Sequence, residues 1–138
     1  MTNQQELLSL FQSLIERQES EILDFKRDAY NLSEEDEKLA LVKDIVCMYN
    51  TPRTEDAHIV IGVKEYTTSP KDVCGIDLST TNPKHLDQSS MQSAFQLKGL
   101  EIEPFPSFRV ETLQIAAAIF LGLSRLLYNL PSESQRIR

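Results

Sequence analysis

The most informative segment of the sequence is Glu19-Ser20-Glu21-Ile22-Leu23-Asp24-Phe25-Lys26. From about its fourth residue it predicts a β-strand, in which successive side chains point to opposite faces. Leu23 and Phe25 would then face an apolar core. Asp24 and Lys26 would face the other way, so the strand predicts a polar pair beside a hydrophobic layer.

This polar pair has two interpretations. A carboxylate and an ammonium on one strand face, with Glu19 on the turn before it, could form a site for a hard metal ion and a phosphate. Glu21 could take the place of Glu19 in such a site. The other interpretation is a solvated ion pair between Asp24 and Lys26, worth less than about 1 kcal/mol.

The composition bounds the class of protein. The 138 residues are 41% hydrophobic and 25% charged, as expected for one soluble domain, and the net charge is −7. That charge argues against sequence-independent coating of nucleic acid, which depends on Lys and Arg. Cys47 and Cys74 are expected to be reduced core residues. The polar N-terminus and the absence of a 20-residue apolar run predict a cytoplasmic protein with no membrane partner.

Periodicity predicts the remaining elements. The predicted helices are an amphipathic helix over residues 3–17 capped by Asn3, a helix from Ser33 to Asn50, and a helix from Asn82-Pro83 to about Leu97. A strand over His58–Lys64 is predicted to be buried on both faces and to pair as a hairpin with a short strand over Asp72–Asp77. The last predicted strand covers Ser107–Ile115. The Ala- and Leu-rich segment Ala116–Tyr128 predicts a helix, and Pro131–Arg138 is expected to be poorly ordered. His58 is interpreted as the first residue of a strand rather than as a general base.

Four short motifs occur in a recognisable order. They are Glu19 with Asp24-Phe25-Lys26, then Asn50-Thr51, then Ile61-Gly62-Val63-Lys64-Glu65, then Gly75-Ile76-Asp77. In this order, over roughly Glu19 to Ile115, the chain resembles the Schlafen-type AlbA-like domain family. The resemblance implies an α+β fold, with a small mixed sheet and packed helices. The expected organisation is an N-terminal helix over residues 1–18, an AlbA-like domain over 19–115, and a helical or poorly ordered tail over 116–138.

The resemblance also implies a site. In the nuclease members of that family three carboxylates form a metal-dependent centre that cleaves structured RNA, and the matching positions here are Glu19, Asp24 and Glu65. Lys26 is the adjacent cation that could meet a phosphate. The implied cofactor is Mg²⁺ or Mn²⁺, because both take oxygen ligands and activate water for phosphodiester cleavage.

The sequence departs from the family pattern in two segments. The family commonly carries a Gly-Gly pair between Asn-Thr and Ile-Gly-Val, and here Pro52–Ala57 contains no glycine. The family also continues past the last predicted strand with a polar turn and another strand, where this chain has Ala116–Tyr128. We interpret that segment as an altered or truncated end of a longer protein.

Three functions therefore stay open. The first is a metal-dependent endonuclease that acts on RNA in preference to DNA, as the effector domain of a defence protein, with a phosphate track of Lys26, Arg53, Lys64 and Arg109. The second is a non-catalytic nucleic-acid-binding or regulatory module. The third is an oligomerisation domain that pairs subunits through Leu7, Leu10, Phe11 and Leu14 and through Ala116–Tyr128. A homodimer is expected because family nuclease cores contain two such lobes.

Overall fold

The computed structural model describes residues 3–66, 70–77, 79–96, 102–103, 108–115, 118–124 and 136–137. In chain order the elements are α1 (Gln4–Ile15), β1 (Leu23–Lys26), α2 (Glu35–Asn50), β2 (His58–Ile61), β3 (Val63–Lys64), β4 (Asp72–Val73), a 3₁₀ turn (Pro83–Leu86), α3 (Gln88–Ser93), a second 3₁₀ turn (Ala94–Gln96), β5 (Ile102–Glu103), β6 (Arg109–Ile115), β7 (Ala118–Ser124) and β8 (Arg136–Ile137).

The central sheet has four strands in the order β1-β2-β7-β6. β1 runs parallel to β2, with Leu23 opposite His58 and Lys26 opposite Ile61. β7 runs antiparallel to both of its neighbours, β2 and β6. Two further pairs, β3 with β4 and β5 with β8, are antiparallel. The sheet is therefore small and mixed, and the predicted α+β fold is confirmed.

Helices cover both faces of this sheet. On one face Phe11 of α1 packs into a cluster with Phe25 and Val60. On the other face Ile45 of α2 packs with Ile59 and Ile61 of β2. Side chains of β2 thus alternate between two apolar layers, as expected for a strand buried on both sides. Leu23 and Phe25 point to the α1 layer, which leaves Asp24 and Lys26 on the α2 side.

The apolar face of α1 is used within the chain. Leu7, Phe11 and Leu14 are buried in the cluster against the sheet, and Leu10 packs beside them. Asn3 caps the helix as predicted, because its side chain accepts a hydrogen bond from the Glu6 amide at 2.8 Å. The suggestion that this helix face pairs subunits is therefore wrong.

The segment Ala116–Tyr128 contains a central strand where the sequence predicted a helix. β7, over Ala118–Ser124, lies between β2 and β6, and the backbone pairing of Ala118 with Ile115 closes the β6–β7 hairpin. The prediction failed because Ala118–Ser124 is almost entirely apolar and lacks alternation, so its Ala and Leu content could not distinguish a strand from a buried helix. Residues 116–117 and 125–128 lie outside the described part of the chain.

Three other predictions also needed correction. The helix expected from Pro83 to Leu97 is split into two 3₁₀ turns and α3, because the backbone of Asp87 is extended and its carboxylate accepts a hydrogen bond from the Ser89 amide at 3.2 Å. Leu97 lies outside the described residues. Arg136–Ile137, expected to be poorly ordered, pairs with β5. Cys47 and Cys74 are exposed free thiols rather than core residues.

Other features of the chain agree with the predictions. His58 begins β2 and is 9% exposed, as a strand-start residue is expected to be. The predicted hairpin is confirmed by the pairing of Val63 with Val73. Within the described ranges, no helix combines the length and apolarity needed to cross a bilayer.

Candidate functional site

A tight turn carries Glu19 back to β1. The Ser20 amide donates to the Leu23 carbonyl at 2.9 Å, and the Leu23 amide donates to the Ser20 carbonyl at 3.4 Å. This turn places Glu19 alongside the outer edge of β1. Its Oε2 accepts a hydrogen bond from the Phe25 amide at 3.2 Å, so the carboxylate is held against the strand.

Glu65 reaches the same edge from a second strand. Gly62 has φ 105°, a conformation that side-chain-bearing residues avoid, and it bends the predicted His58–Lys64 strand into β2 and β3. Glu65 follows β3 directly. Its Oε1 accepts from the Glu19 amide at 3.4 Å, and its Oε2 is buried with no hydrogen-bond partner. The structure therefore brings Glu65 to Glu19.

Asp24 completes a cluster of three carboxyls. The pKa of Glu19 is raised to about 7, mainly by a hydrogen bond with the Asp24 carboxyl and then by burial, while the Phe25 amide opposes the shift. The negative charges of Asp24 and Glu65 add to the rise. The Glu19 carboxyl thus loses its proton near neutral pH. A bound cation would relieve the same repulsion.

Of the two acids on the turn, Glu19 lies beside the Asp24 carboxyl and Glu21 points elsewhere. Glu21 is exposed and lines a separate surface cavity of about 380 Å³ together with Arg17, Arg53 and Glu55. Arg17 and Glu55 form an ion pair of 2.8 Å across that cavity. Glu21 therefore belongs to a different surface from the Asp24 carboxyl.

Lys26 lies between two carboxylates. Its Nζ is 3.1 Å from Asp24 Oδ2 and 3.4 Å from Asp44 Oδ2. Burial would lower the pKa of Lys26, but the hydrogen bond and charge of Asp24, followed by those of Asp44, outweigh it and raise the pKa. Lys26 is thus a retained cation whose charge is shared by two acids.

Asp44 and Tyr30 extend this network, and sequence reasoning missed both. The Tyr30 hydroxyl donates to Asp44 Oδ2 at 2.5 Å, and Lys26 Nζ lies 5.6 Å from the centre of the Tyr30 ring. Burial, then the hydrogen bond to Asp44, raises the pKa of Tyr30, so the hydroxyl stays protonated. One signal was available: Asp44 is an acid between Leu41 and Met48 in the apolar pattern of α2.

The donor chemistry of the cluster fits a hard divalent cation, but its spacing in this structure does not form a coordination shell. Glu19 lies close to both Asp24 and Glu65, and one Glu65 oxygen is buried without a hydrogen-bond partner, which is an environment that a divalent ion would satisfy. Among the described residues, however, no three His, Cys, Asp or Glu side chains are placed to hold a metal ion together. Cation binding would require these side chains to move.

The predicted basic residues are dispersed. Arg53 Nη1 donates to carbonyls at the end of α2, 3.0 Å from Met48 O and 3.2 Å from Tyr49 O. Lys64 is exposed, and its Nζ lies 5.2 Å from the centre of the Tyr66 ring. Arg109 lies on β6, at the opposite edge of the sheet from β1. Of the four predicted track residues, the structure brings Lys26 to the acids but does not bring Arg109 there.

A solved structure shares this architecture. The chain is similar to the N-terminal domain of a RecG-related protein from Nitrosomonas europaea, solved by solution NMR, with a TM-score of 0.51 and 13% identity. The match covers 83% of this chain and 69% of that one. At that identity the likeness concerns the fold alone. No curated protein sequence matches the chain.

The sequence itself matches a family profile described as Schlafen, AlbA_2, over residues 19–127. The matched range includes the carboxyl cluster and continues through β7, beyond the boundary expected at residue 115. The resemblance drawn from the four motifs is therefore confirmed. The chain belongs to the Schlafen AlbA_2 domain family.

Proposed function

We propose that this domain is a metal-dependent endonuclease that acts on RNA, with Glu19, Asp24 and Glu65 as the ligands of Mg²⁺ or Mn²⁺. Family membership indicates a function connected with nucleic acids. The observation that carries the finer proposal is the convergence of three carboxyls at one edge of β1, with the pKa of Glu19 raised to about 7. RNA is favoured because the motif resemblance is to RNA-cleaving members of the family.

The charges at this edge explain why a metal ion is part of the proposal. The chain carries a net charge of −7, and Lys26 already faces Asp24 and Asp44. A phosphodiester approaching these acids would be repelled unless a cation neutralised them. When bound, a divalent ion supplies that charge, polarises a phosphoryl oxygen and lowers the pKa of its bound water.

The three carboxyls and Lys26 would then have different roles. Asp24 and Glu65 approach from β1 and from the end of β3, so a rigid sheet and hairpin support both carboxylates. Glu19 would lose its proton when it binds the metal ion together with Asp24 and Glu65. Lys26 directs its ammonium to the rim of the cluster, where it can donate a hydrogen bond to a non-bridging phosphate oxygen.

The test is a cleavage assay with isosteric variants. We expect the wild-type chain to cleave tRNA or rRNA in Mn²⁺ and not in EDTA, with single-stranded DNA included to measure RNA preference. Asp24→Asn and Glu65→Gln should each lower the rate at least about a hundredfold, as loss of a group that stabilises the transition state does. Glu21→Gln is the matched control, because it removes an exposed acid from the same turn. Cleavage that persists in the Asp24→Asn, Glu65→Gln double variant would disprove the proposal.

A second function is favoured by the spacing of the acids. Since the described acids are not placed to hold a metal ion together, the domain could bind nucleic acid without cleaving it. That function predicts RNA or DNA binding that weakens steeply with salt, with no cleavage in Mg²⁺ or Mn²⁺. Filter binding on the same RNAs at two salt concentrations, run beside the cleavage assay, distinguishes the two functions.

A further inference from the structure

Lys26 is held by an arrangement that lies largely outside the carboxyl cluster. Of its two acidic partners, Asp24 belongs to the cluster and lies on the same strand, whereas Asp44 projects from α2. The side chains of Lys26 and Asp44 are 31% and 35% exposed, so both remain accessible to a ligand at the rim. In the proposed metal site a cation would bind Asp24 and not Asp44, so the Lys26 ammonium would keep one of its two acidic partners.

Asp44 is itself fixed. Tyr30 is 5% exposed, and its hydroxyl donates to the same Oδ2 that faces Lys26, at 2.5 Å. A hydrogen bond to an ionised acceptor is short and strong, so the buried ring restricts where this carboxylate can point. The ring also flanks the ammonium at 5.6 Å from its centre. The Tyr30 ring and the Asp44 carboxylate thus restrict the Lys26 ammonium from two sides.

The contacts of Lys26 with Asp44 and Tyr30 matter when Asp24 is no longer available as its ion-pair partner. A lysine side chain has a flexible four-carbon stem, so an ammonium that loses its only partner becomes disordered. If a divalent ion engages the Asp24 carboxylate, Lys26 keeps Asp44 and the Tyr30 ring. Its N–H groups then remain at the rim, ready for a phosphate oxygen.

We propose that Asp44 and Tyr30 are positioning residues, which keep the Lys26 ammonium directed at the rim of the carboxyl cluster while Asp24 binds a cation. The inference rests on the proposed function, because that function gives the placement of the Lys26 ammonium its role in binding phosphate. Neither residue is assigned to touch the substrate or the metal ion; each acts through Lys26.

The direct test is the order of the ammonium group. In ¹⁵N-labelled protein with Mg²⁺, the Lys26 side-chain signal, assigned by its loss in Lys26→Gln, should be that of an immobilised ammonium. Asp44→Asn should make it mobile. Tyr30→Phe, which keeps the charge and the ring and removes only the hydroxyl, should do so to a smaller degree. Asp36→Asn and Tyr49→Phe, an acid and a buried tyrosine elsewhere on α2, are matched controls and should leave the signal unchanged. A mobile Lys26 in the wild type, or equal order in Asp44→Asn, would overturn the inference.

A double-mutant cycle tests the route through Lys26. Asp44→Asn should lower the rate of RNA cleavage about ten- to a hundredfold, the scale of a misplaced catalytic contact. In a Lys26→Gln background the same substitution should cause no further loss, because the group that it positions is gone. A full additional loss would show that Asp44 acts by another route. If the wild type cleaves no RNA, the proposed function fails, and the order of the ammonium still decides whether Asp44 and Tyr30 hold Lys26.

Discussion

At the scale of single residues, Glu19 combines the two properties on which the proposed site depends. Its backbone amide donates to Glu65, and its carboxyl forms a hydrogen bond with Asp24, so one residue connects the acids of two strands. Its pKa of about 7 means that the carboxyl loses its proton within the physiological range. In the proposed metal site a divalent ion would compete with that proton for the same oxygens, so metal binding is expected to tighten as pH rises through 7.

The raised pKa of Glu19 predicts how stability varies with pH. An ordinary glutamic acid in the unfolded chain titrates near 4.5, whereas the folded state retains its proton up to about pH 7. The folded state therefore binds more protons between these values, and its contribution to stability is complete below pH 4.5 and lost as pH rises through 7. We expect the Tm of the metal-free protein to fall over this window.

Glu19→Gln should flatten this dependence, because its amide cannot ionise, and Glu21→Gln should retain the wild-type profile. The measurement is thermal unfolding by circular dichroism from pH 4.5 to 8 in EDTA, and then with Mg²⁺. Added Mg²⁺ should raise the wild-type Tm mainly above pH 7. Parallel profiles for the wild type and Glu19→Gln would show that Glu19 is not the titrating group.

The sequence could specify the acids but not all of their surroundings. Glu19, Asp24, Lys26 and Glu65 follow from motif order, because their spacing survives in the linear chain. Asp44 and Tyr30 do not, since they meet Lys26 only when α2 crosses the polar face of β1. The Ser20–Leu23 turn, which places Glu19 rather than Glu21 beside Asp24, is likewise visible only in three dimensions.

At the scale of elements, β6 shows how the sheet ends. It is the last strand in the order β1-β2-β7-β6, so its outer N–H and C=O groups have no neighbouring strand in that sheet. Two glutamine side chains occupy positions there. Gln4 donates to Thr112 O at 3.0 Å and accepts from the Gln114 amide at 3.2 Å. Gln88 donates to Phe108 O and accepts from the Val110 amide, both at 3.2 Å.

These amides substitute for a strand, which predicts the effect of removing them. Gln4→Ala and Gln88→Ala should each cost about 1–2 kcal/mol of stability, because each ends two hydrogen bonds. The double variant should also associate more readily than the wild type, since an uncovered edge is a template for pairing. Light scattering after size exclusion, over a range of concentrations, measures this. Gln92→Ala, an exposed glutamine of α3, is the control. An unchanged mass for the double variant at every concentration would show that the glutamines do not protect the edge.

Elements also differ in how well the sequence predicts them. α1, α2, β1 and β6 were predicted from a clear apolar period, supported in the helices by a cap or a stop such as Asn3 or Pro52. β2 has no alternation, but its β-branched run Ile59-Val60-Ile61 indicates a strand. β7 has neither alternation nor such a run, and its Ala and Leu residues favour a helix. The helix expected after Pro83 was interrupted because Asp87 caps a new start.

At the scale of the whole molecule, β7 unites the sheet on which the site depends. Along the chain β1 and β2 come early and β6 late, and the sheet becomes continuous only when β7 pairs with both β2 and β6. β2 in turn pairs with β1, which carries Asp24 and Lys26. The carboxyl cluster therefore depends on a strand that is far from it in sequence and that contributes none of its side chains.

This dependence gives a sharp prediction about where the domain ends. A chain ending at residue 115 matches the boundary expected from sequence, but it lacks β7 and leaves β2 and β6 without the strand between them. A chain ending at residue 127 keeps β7 and the full range of the family match. We expect the longer chain to unfold cooperatively on heating and the shorter chain to show no cooperative transition, because an entire ladder of hydrogen bonds on each side of β7 is lost. Circular dichroism and the dispersion of ¹⁵N–¹H spectra measure this. Native-like spectra from the chain ending at residue 115 would show that the sheet does not require β7.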